Sequence, residues 1–251
     1  MTNKLRYFIG NWKMFGDFTS YKIINKINKF SYKYRKINNI KIVLCVPNTL
    51  IHFYKKKIKR KFIFLGAQNC HHHEGYGAFT GSVNASMLKK MGAEYIILGH
   101  SENRFEGDTD QLIKKKINYF LNQKLNVIFC IGETNNEKKK GKTFYILRKQ
   151  LKGVLEKKYK MNKILFAYEP VWSIGTGIVP KPSDLEKNVI FLRNILFKKF
   201  KLKNPKILYG GSVNPKNVKN FKEINIIDGF LVGAASQNPK KFIDIVKKTF
   251  K

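Results

Sequence analysis

The chain has 251 residues, of which 43% are hydrophobic, so it can bury a sizeable core without a metal or disulfide, and a disordered protein is excluded. No run approaches the 18 consecutive apolar residues of a transmembrane helix, so we expect no membrane span. The formal net charge of +34 suggests nucleic acid as a partner. However, only six of the 50 basic residues are Arg and lysines recur all along the chain, so we expect a solvated rim and no specific nucleic-acid interface.

Eight short apolar segments alternate with longer segments of helical period, a pattern that favours parallel βαβ units. The predicted strands are residues 7–10, 41–46, 62–67, 95–98, 127–131, 164–168, 207–209 and 226–232. The clearest predicted helices are residues 18–30, 110–123, 143–158, 185–200 and 239–250. Eight repeats in about 250 residues predict a (β/α)8 barrel, and the absence of a linker predicts a single domain over residues 1–251. An open doubly wound sheet would show the same alternation.

Polar residues and glycines follow the predicted strands where each strand ends. In α/β barrels the chemistry lies at this end of the strands, so we predict that these residues meet in one site. They are Asn11 and Lys13 after the first strand, His100 to Glu102 after the fourth, Glu133 after the fifth, Glu169 at the end of the sixth, Gly210 to Ser212 after the seventh and Gly233 after the eighth.

Glu169 lies in the segment AYEPVWSIGTG. Pro170 restricts its backbone to an extended conformation, which would help to aim the carboxylate as a base. Residues 171–177 have apolar side chains in the middle and glycines at the far end, as a mobile lid requires. A capping or ion-paired glutamate beside an ordinary loop fits the local sequence equally well.

His100 precedes Ser101, which we predict to be a helix N-cap. A helix that starts just past the imidazole would disfavour protonation of the ring, and a neutral ring could donate a hydrogen bond to a substrate oxygen. A lone histidine is more often structural, and only its position after a strand distinguishes Lys13 from the other lysines. For the contiguous histidines at residues 71–73 we expect an exposed loop without a ligand role.

Two glycine-bearing turns, at residues 209–212 and 232–234, are candidates for binding a phosphate group. Glycine allows backbone N–H groups to approach an anion closely, and barrels of this type often bind phosphate after strands 7 and 8. No GxGxxG or GxxxxGK[ST] motif occurs, which argues against NAD or ATP. We therefore predict no cofactor.

The three cysteines, Cys45, Cys70 and Cys130, show neither CxxC nor C…H spacing. This pattern predicts reduced, buried and inert thiols, and no metal site. The N-terminus MTNKLRYFIGN has no long apolar segment of a signal peptide, so we expect a cytoplasmic protein.

Several segments together resemble the triosephosphate isomerase family, in order and across nearly the whole chain. They are GNWKM, GAQNC, GAFTGSVNASMLKKMGAEYIILGHSE, CIGET, AYEPVWSIGTG, YGGSV and DGFLVGAAS. The stretch from Gly77 to Glu102 and the lid segment are highly specific, whereas the glycine turns alone are not. The resemblance implies a cofactor-free isomerase of glycolysis and gluconeogenesis that interconverts dihydroxyacetone phosphate and D-glyceraldehyde 3-phosphate through an enediolate.

The resemblance also implies a role for each matching residue. Glu169 would be the base and His100 the neutral electrophile, a pairing for which triosephosphate isomerase is itself the standard example. Lys13 would supply positive charge, Asn11 would orient the substrate, and Glu102 would be a carboxylate next to the site. The backbone N–H groups of four further residues would hold the phosphate, and Tyr209 and Ser212 would latch the closed lid; the four are Gly175, Ser212, Gly233 and Ala234.

Family members are typically homodimers in which one loop inserts beside the neighbour's active site. Gln68, Asn69, Phe79 and Thr80 match that pattern, so the resemblance implies a homodimer with an interface loop around Thr80.

Three positions depart from the family pattern. Ile178 replaces a lysine at the far end of the lid, which puts the rate of lid opening in doubt. Ala234 replaces the second glycine of the phosphate turn, where a positive φ would cost about 1 kcal/mol or more and weaken substrate binding. Asn103 replaces an arginine, so we expect altered local ion pairing.

Two other hypotheses use the same residues differently. Lys13 could form a Schiff base in a barrel aldolase, which Glu169 and His100 disfavour. Alternatively, a basic nucleic-acid-binding protein could use the barrel as a scaffold, and it would bind RNA with a steep dependence on salt.

Overall fold

The computed structural model describes residues 5–35, 39–159, 161–221, 224 and 226–250. Eight parallel strands close into a barrel in chain order, and β8 pairs with β1. The predicted barrel is therefore confirmed, and an open sheet is excluded. The strands are β1 Arg6–Asn11, β2 Ile40–Cys45, β3 Phe64–Ala67, β4 Tyr95–Leu98, β5 Asn126–Ile131, β6 Ile164–Tyr168, β7 Lys206–Gly211 and β8 Gly229–Val232.

Helices follow the strands around the outside of the barrel. All five predicted helices are present, and four short ones (α2, α3, α4 and α6) accompany them. The helices are α1 Tyr21–Tyr34, α2 Asn48–Lys57, α3 Ala85–Met91, α4 Ser101–Phe105, α5 Asp110–Asn122, α6 Asn135–Lys139, α7 Thr143–Val154, α8 Pro182–Phe200 and α9 Pro239–Phe250.

Some predicted boundaries were wrong. Strand β8 starts at Gly229 instead of residue 226, because the N–H of Ile227 bonds to the Ile224 carbonyl in a turn that the apolar run does not reveal. Helix α7 ends at Val154 and not at residue 158, since the backbone becomes extended at Leu155.

Side chains along each strand point alternately into and out of the barrel, and they form two separate apolar layers. In β6, Leu165 and Ala167 point into the barrel, where they join a small interior cluster. Ile164, Phe166 and Tyr168 point outward into the larger cluster between strands and helices. The strands are therefore buried on both faces, and this rigid wall fixes the positions of the residues at the strand ends.

Five of the described helices carry several lysines at their carboxyl ends. Helices α2, α3, α6, α8 and α9 each have two or three lysines in the last turn, where they face the negative end of the helix dipole. Among the described residues, no helix is long and apolar enough to cross a membrane.

Candidate active site

Glu169 directly follows β6, at the carboxyl end of the barrel, and its side chain is buried. Its N–H bonds to the Ile131 carbonyl at 2.8 Å, which continues the pairing with β5. Two glycines make room for it. A Cβ on Gly132 would lie 1.9 Å from the Glu169 carbonyl oxygen, and one on Gly210 would lie 2.4 Å from its Cγ. The backbone and side chain of Glu169 therefore require glycine directly after β5 and within β7.

His100 is buried and begins helix α4. Its Nδ1 accepts a hydrogen bond from the Glu102 N–H at 3.2 Å, so His100 is the N-cap and the prediction of Ser101 as the cap was wrong. A ring nitrogen that accepts a hydrogen bond carries no proton, so in the neutral ring the proton lies on Nε2.

The imidazole and the carboxylate face each other. His100 Nε2 lies 3.9 Å from Glu169 Oε2. That carboxylate oxygen is buried and has no hydrogen-bond partner within the described part of the chain. Buried polar atoms are almost always paired, so an unpaired carboxylate oxygen beside a donor marks a functional position.

Lys13 follows β1 with a left-handed backbone, at φ 55°. For an L-residue this conformation costs about 1 kcal/mol, and such strain clusters at functional sites. The side-chain oxygen of Asn11 accepts a hydrogen bond from the Lys13 N–H at 3.1 Å. Gln68 donates to the Lys13 carbonyl at 2.9 Å, and the Lys13 ammonium forms an ion pair with Glu102. Hydrogen bonds therefore hold the backbone of Lys13, and an ion pair holds its ammonium group.

The predicted lid covers the mouth of the barrel and bonds to the turn after β7. The Gly177 N–H donates to Ser212 Oγ at 2.9 Å, and the Ser212 hydroxyl donates to the Ser173 carbonyl at 2.8 Å. Ser173 Oγ lies 3.0 Å from the Tyr209 hydroxyl and donates to the Ile178 carbonyl. Burial raises the pKa of Tyr209 to about 12, so its hydroxyl keeps its proton near neutral pH.

The start of the lid is anchored on Glu133, which is buried after β5. Its carboxylate accepts hydrogen bonds from Trp172 Nε1 at 3.0 Å and from the Tyr168 hydroxyl at 3.1 Å. The Lys138 ammonium lies 3.5 Å from the centre of the Trp172 ring. Burial raises the pKa of Glu133, although the hydrogen bonds from Trp172 and Tyr168 oppose the shift.

A cavity of about 610 Å³ lies under the lid. The residues predicted from sequence to bind or convert substrate line it together, with one exception. Glu102 lines a neighbouring cavity of about 330 Å³, which it shares with Lys13 and His100. The predicted residues in the larger cavity are Asn11, Lys13, His100, Glu169, Gly175, Ser212, Gly233 and Ala234.

The departures from the family pattern have local structural outcomes. Ala234 begins a 3-10 helix and is not among the residues with positive φ, so the backbone strain expected there is absent. The side chain of Ile178 is 58% exposed, while its carbonyl accepts a hydrogen bond from Ser173. Beside Asn103, the Arg104 guanidinium binds Asp110 at 2.7 Å.

All three thiols are free and buried, as predicted. Burial raises the pKa of each, for Cys70 to about 12, and the charge of Glu169 adds to the effect at Cys130. Thiols in this state are poor nucleophiles. Among the described residues, no group of three or more His, Cys, Asp or Glu residues is arranged to hold a metal ion.

The segment around Thr80 extends from the barrel, and residues 73–82 are all exposed. Tyr76 is 79% exposed and Phe79 is 41% exposed, and the Phe79 ring lies 4.4 Å from the ring of His71 and 4.7 Å from that of His73. Within one chain, this apolar arm has little to cover it.

Sequence reasoning missed several supporting contacts. The family resemblance places Gln68 at the interface, but this residue also holds the Lys13 carbonyl. The sequence indicates Gly210 only as part of a phosphate turn, but its missing Cβ also makes room for Glu169. Lys138 looked like one of many surface lysines. Glycine at the end of a strand was a usable signal, whereas the contacts of Gln68 and Lys138 are long-range and left no local pattern.

A closed barrel with a buried carboxylate and an imidazole facing each other under a lid defines an α/β-barrel enzyme of acid–base chemistry. Comparison with known proteins specifies it further. A family model described as triosephosphate isomerase matches residues 6–249. The chain therefore belongs to the triosephosphate isomerase family, and it is an isomerase of glycolysis.

Relatives of the same name match nearly the full length. The triosephosphate isomerase of Aquifex aeolicus is 40% identical over 252 residues, which cover 96% of this chain and 98% of the relative. That of Saccharomyces cerevisiae is 39% identical over 242 residues and covers 94% and 95%. The crystal structure of triosephosphate isomerase from Bartonella henselae aligns with a TM-score of 0.88 at 31% identity, over 98% of this chain and 99% of that one.

Proposed function

We propose that Glu169 and His100 interconvert dihydroxyacetone phosphate and D-glyceraldehyde 3-phosphate in the cavity under the lid. The observation that carries this proposal is the 3.9 Å separation of His100 Nε2 and the unpaired Glu169 Oε2. A base and a hydrogen-bond donor at this distance can act on adjacent atoms of one small substrate.

In the forward direction, Glu169 removes a proton from C1 of dihydroxyacetone phosphate. The electron pair of that C–H bond forms a C1–C2 double bond, and the carbonyl electrons move to the C2 oxygen, which gives an enediolate. His100 Nε2–H donates to this oxygen and moves a proton between the two substrate oxygens. Glu169 then returns its proton to C2, and the aldehyde forms at C1.

Negative charge develops on the substrate oxygens, so fixed donors there stabilise the transition state. Lys13 supplies a positive charge, and its strained backbone and its ion pair with Glu102 fix the position of that charge. Asn11 orients the substrate beside Lys13. Glu102 acts through Lys13, since it lines the neighbouring cavity. The neutral tautomer of His100 suits this role, because the ring must donate from Nε2 without a full positive charge.

Backbone N–H groups hold the phosphate of the substrate at the other end of the cavity. Gly175 brings one from the lid, Ser212 one from the turn after β7, and Gly233 and Ala234 two from the turn after β8. The donors of the turns after β7 and β8 are fixed by the fold, so they need no reorganisation when substrate binds, whereas the Gly175 donor arrives with the lid. Ser212 and Tyr209 latch the lid, which excludes water from the enediolate.

A coupled isomerase assay on the purified wild-type chain tests the proposal. With EDTA present and no added cofactor, we expect turnover in both directions. An inactive chain, or one that regains activity only with added metal, would contradict it. If Lys13 formed a Schiff base instead, borohydride with substrate would leave a covalent adduct on Lys13, and we expect none.

We further propose that the protein is a homodimer in which the arm around Thr80 covers the smaller cavity of its partner. The exposed Tyr76 and Phe79 on the arm support this, as does Met14, which is fully exposed at the edge of that cavity. Analytical ultracentrifugation should give twice the chain mass for the wild type and a monomer for Thr80→Arg. Ser183→Arg, which changes an exposed serine on α8, should remain a dimer. A monomeric wild type would rule the interface out.

The proposed activity needs no second domain, so we assign residues 1–251 to one catalytic domain. A role in glycolysis supports a cytoplasmic location. Fractionation of cells with an antibody to the chain would test the location, and recovery in an organelle would contradict it.

A further inference from the structure

The cavity under the lid is larger than a triose phosphate. At about 30 Å³ for each molecule of liquid water, its volume of about 610 Å³ equals roughly 20 waters. A triose phosphate has about ten non-hydrogen atoms of comparable size. The lining of the cavity includes the two proposed phosphate turns and continues into residues 213–216 and to Ala235 and Lys241, so the proposed phosphate position has further space beside it.

Two exposed lysines, Lys216 and Lys241, line this outer part, and local hydrogen bonds hold their backbones. Lys216 is in a turn in which its N–H bonds to the Asn214 side chain at 2.8 Å. The Asn217 amide ties the same turn to the Ser212 carbonyl at 2.6 Å. Lys241 is in the first turn of α9, and its N–H bonds to Asn238 at 3.1 Å.

The charges of both lysines are available to a ligand. In the described part of the chain, neither ammonium group takes part in an ion pair or a side-chain hydrogen bond, whereas Lys13 is paired with Glu102. Glu169, at the inner end, is the only carboxylate that lines the cavity within the same residues. Two unpaired cations beside the positive end of a helix dipole attract an anion.

We propose that Lys216 and Lys241 form an anion subsite beyond the phosphate position, and that the cavity binds a diphosphate as a competitor of the substrate. The inference rests on the proposed function, since the inner phosphate of the diphosphate takes the backbone N–H groups that hold the substrate phosphate. The outer phosphate lies between the two lysines. A diphosphate has its second charge on this side, whereas a triose phosphate extends only inward.

Calorimetric titration with inorganic phosphate and with pyrophosphate, at a fixed ionic strength of about 0.1 M, tests the subsite. Exposed ion pairs contribute only modestly, so we expect pyrophosphate, with two of them, to bind about tenfold more tightly than phosphate. In Lys216→Gln/Lys241→Gln, this ratio should fall to about twofold. Lys219→Gln/Lys240→Gln removes the same charge from exposed neighbours that do not line the cavity, and it should keep the tenfold ratio and the wild-type activity.

The subsite would be overturned if the ratio of pyrophosphate to phosphate affinity were the same in the wild type and both double variants, or if it fell equally in both variants. The general positive field of the protein would then explain the binding. A titration with ADP distinguishes the source of the diphosphate. If ADP binds with the same lysine dependence, the subsite accepts diphosphate esters, and if only pyrophosphate does, it accepts the free ion; both outcomes support it. Binding is measured without turnover, so lysine-dependent binding by an inactive chain would refute the isomerase proposal alone.

Discussion

Two buried carboxylates at opposite ends of the barrel have contrasting surroundings. Asp228 precedes β8 at the amino end, and its Oδ2 accepts from Arg193 at 2.8 Å and from the Ile207 N–H at 2.9 Å. Lys206 approaches its other oxygen at 3.6 Å. Glu169 at the carboxyl end is almost as buried, yet its Oε2 is unpaired among the described residues.

The difference shows how one fold separates stability from chemistry. A fully paired carboxylate holds neighbouring strands and helices together, and it cannot accept a proton without losing some of these contacts. An unpaired buried carboxylate oxygen costs stability, because its desolvation is not compensated, and it remains available as a base. Barrels place their stability at the amino end and their chemistry at the carboxyl end, and these two residues follow that rule.

The largest expected effect is on catalysis at the carboxyl end. Glu169→Gln keeps the size of the side chain and removes the base, so we expect kcat to fall by about 10²–10⁴-fold while substrate still binds. Steady-state kinetics by the coupled assay would measure it. The free energy of unfolding should not fall, since no hydrogen bond to Oε2 is lost. Turnover near the wild-type rate would rule out Glu169 as the base.

The opposite result is expected at the amino end. Asp228→Asn leaves Arg193 and Lys206 without their counter-charge, which should lower the free energy of unfolding by about 3 kcal/mol. The activity of the folded fraction should stay within about twofold of the wild type. Chemical denaturation with parallel assays would measure both, and Asp244→Asn, on α9, is the control with an expected loss below about 1 kcal/mol. If Asp228→Asn lost no more unfolding free energy than Asp244→Asn, the contrast between the two ends of the barrel would be contradicted.

A smaller effect is expected at the lid. Ser212→Ala removes the hydrogen bonds to Gly177 and Ser173, each worth about 1 kcal/mol or less, so kcat/KM should fall about tenfold. Ser183→Ala, an exposed serine of α8, should have no effect. If both variants matched the wild type, the latch would have no function.

The smallest effect is a dependence of stability on pH. Because burial raises the pKa of Glu133 in the folded state, the unfolded state releases this proton first as the pH rises. The stability of the wild type should therefore fall, relative to Glu133→Gln, from the ordinary carboxyl pKa of about 4.3 up to the folded pKa, and then stay constant. Denaturation at a series of pH values would measure this difference. A rise over that range would contradict the sign of the shift.

The sequence predicted the parts of the structure that local patterns encode. Alternating apolar segments gave the eight strands, and the position after a strand selected Asn11, Lys13, His100 and Glu169 for one cavity. It did not give the identity of the α4 cap, because both His100 and Ser101 can accept from a backbone N–H. The buried, unpaired oxygen of Glu169 and the ion pairs of Asp228 depend on contacts between distant strands, which no local pattern contains.

The most direct test of the central claim is hydrogen exchange between solvent and substrate. When the wild type is incubated with dihydroxyacetone phosphate in D₂O, deuterium should appear in the recovered triose phosphates, because Glu169 exchanges the abstracted proton with solvent before returning it. Glu169→Gln should incorporate almost none in the same time, while Asp228→Asn, compared at equal folded concentration, should match the wild type. Incorporation by Glu169→Gln at the wild-type rate would mean that another group removes the proton.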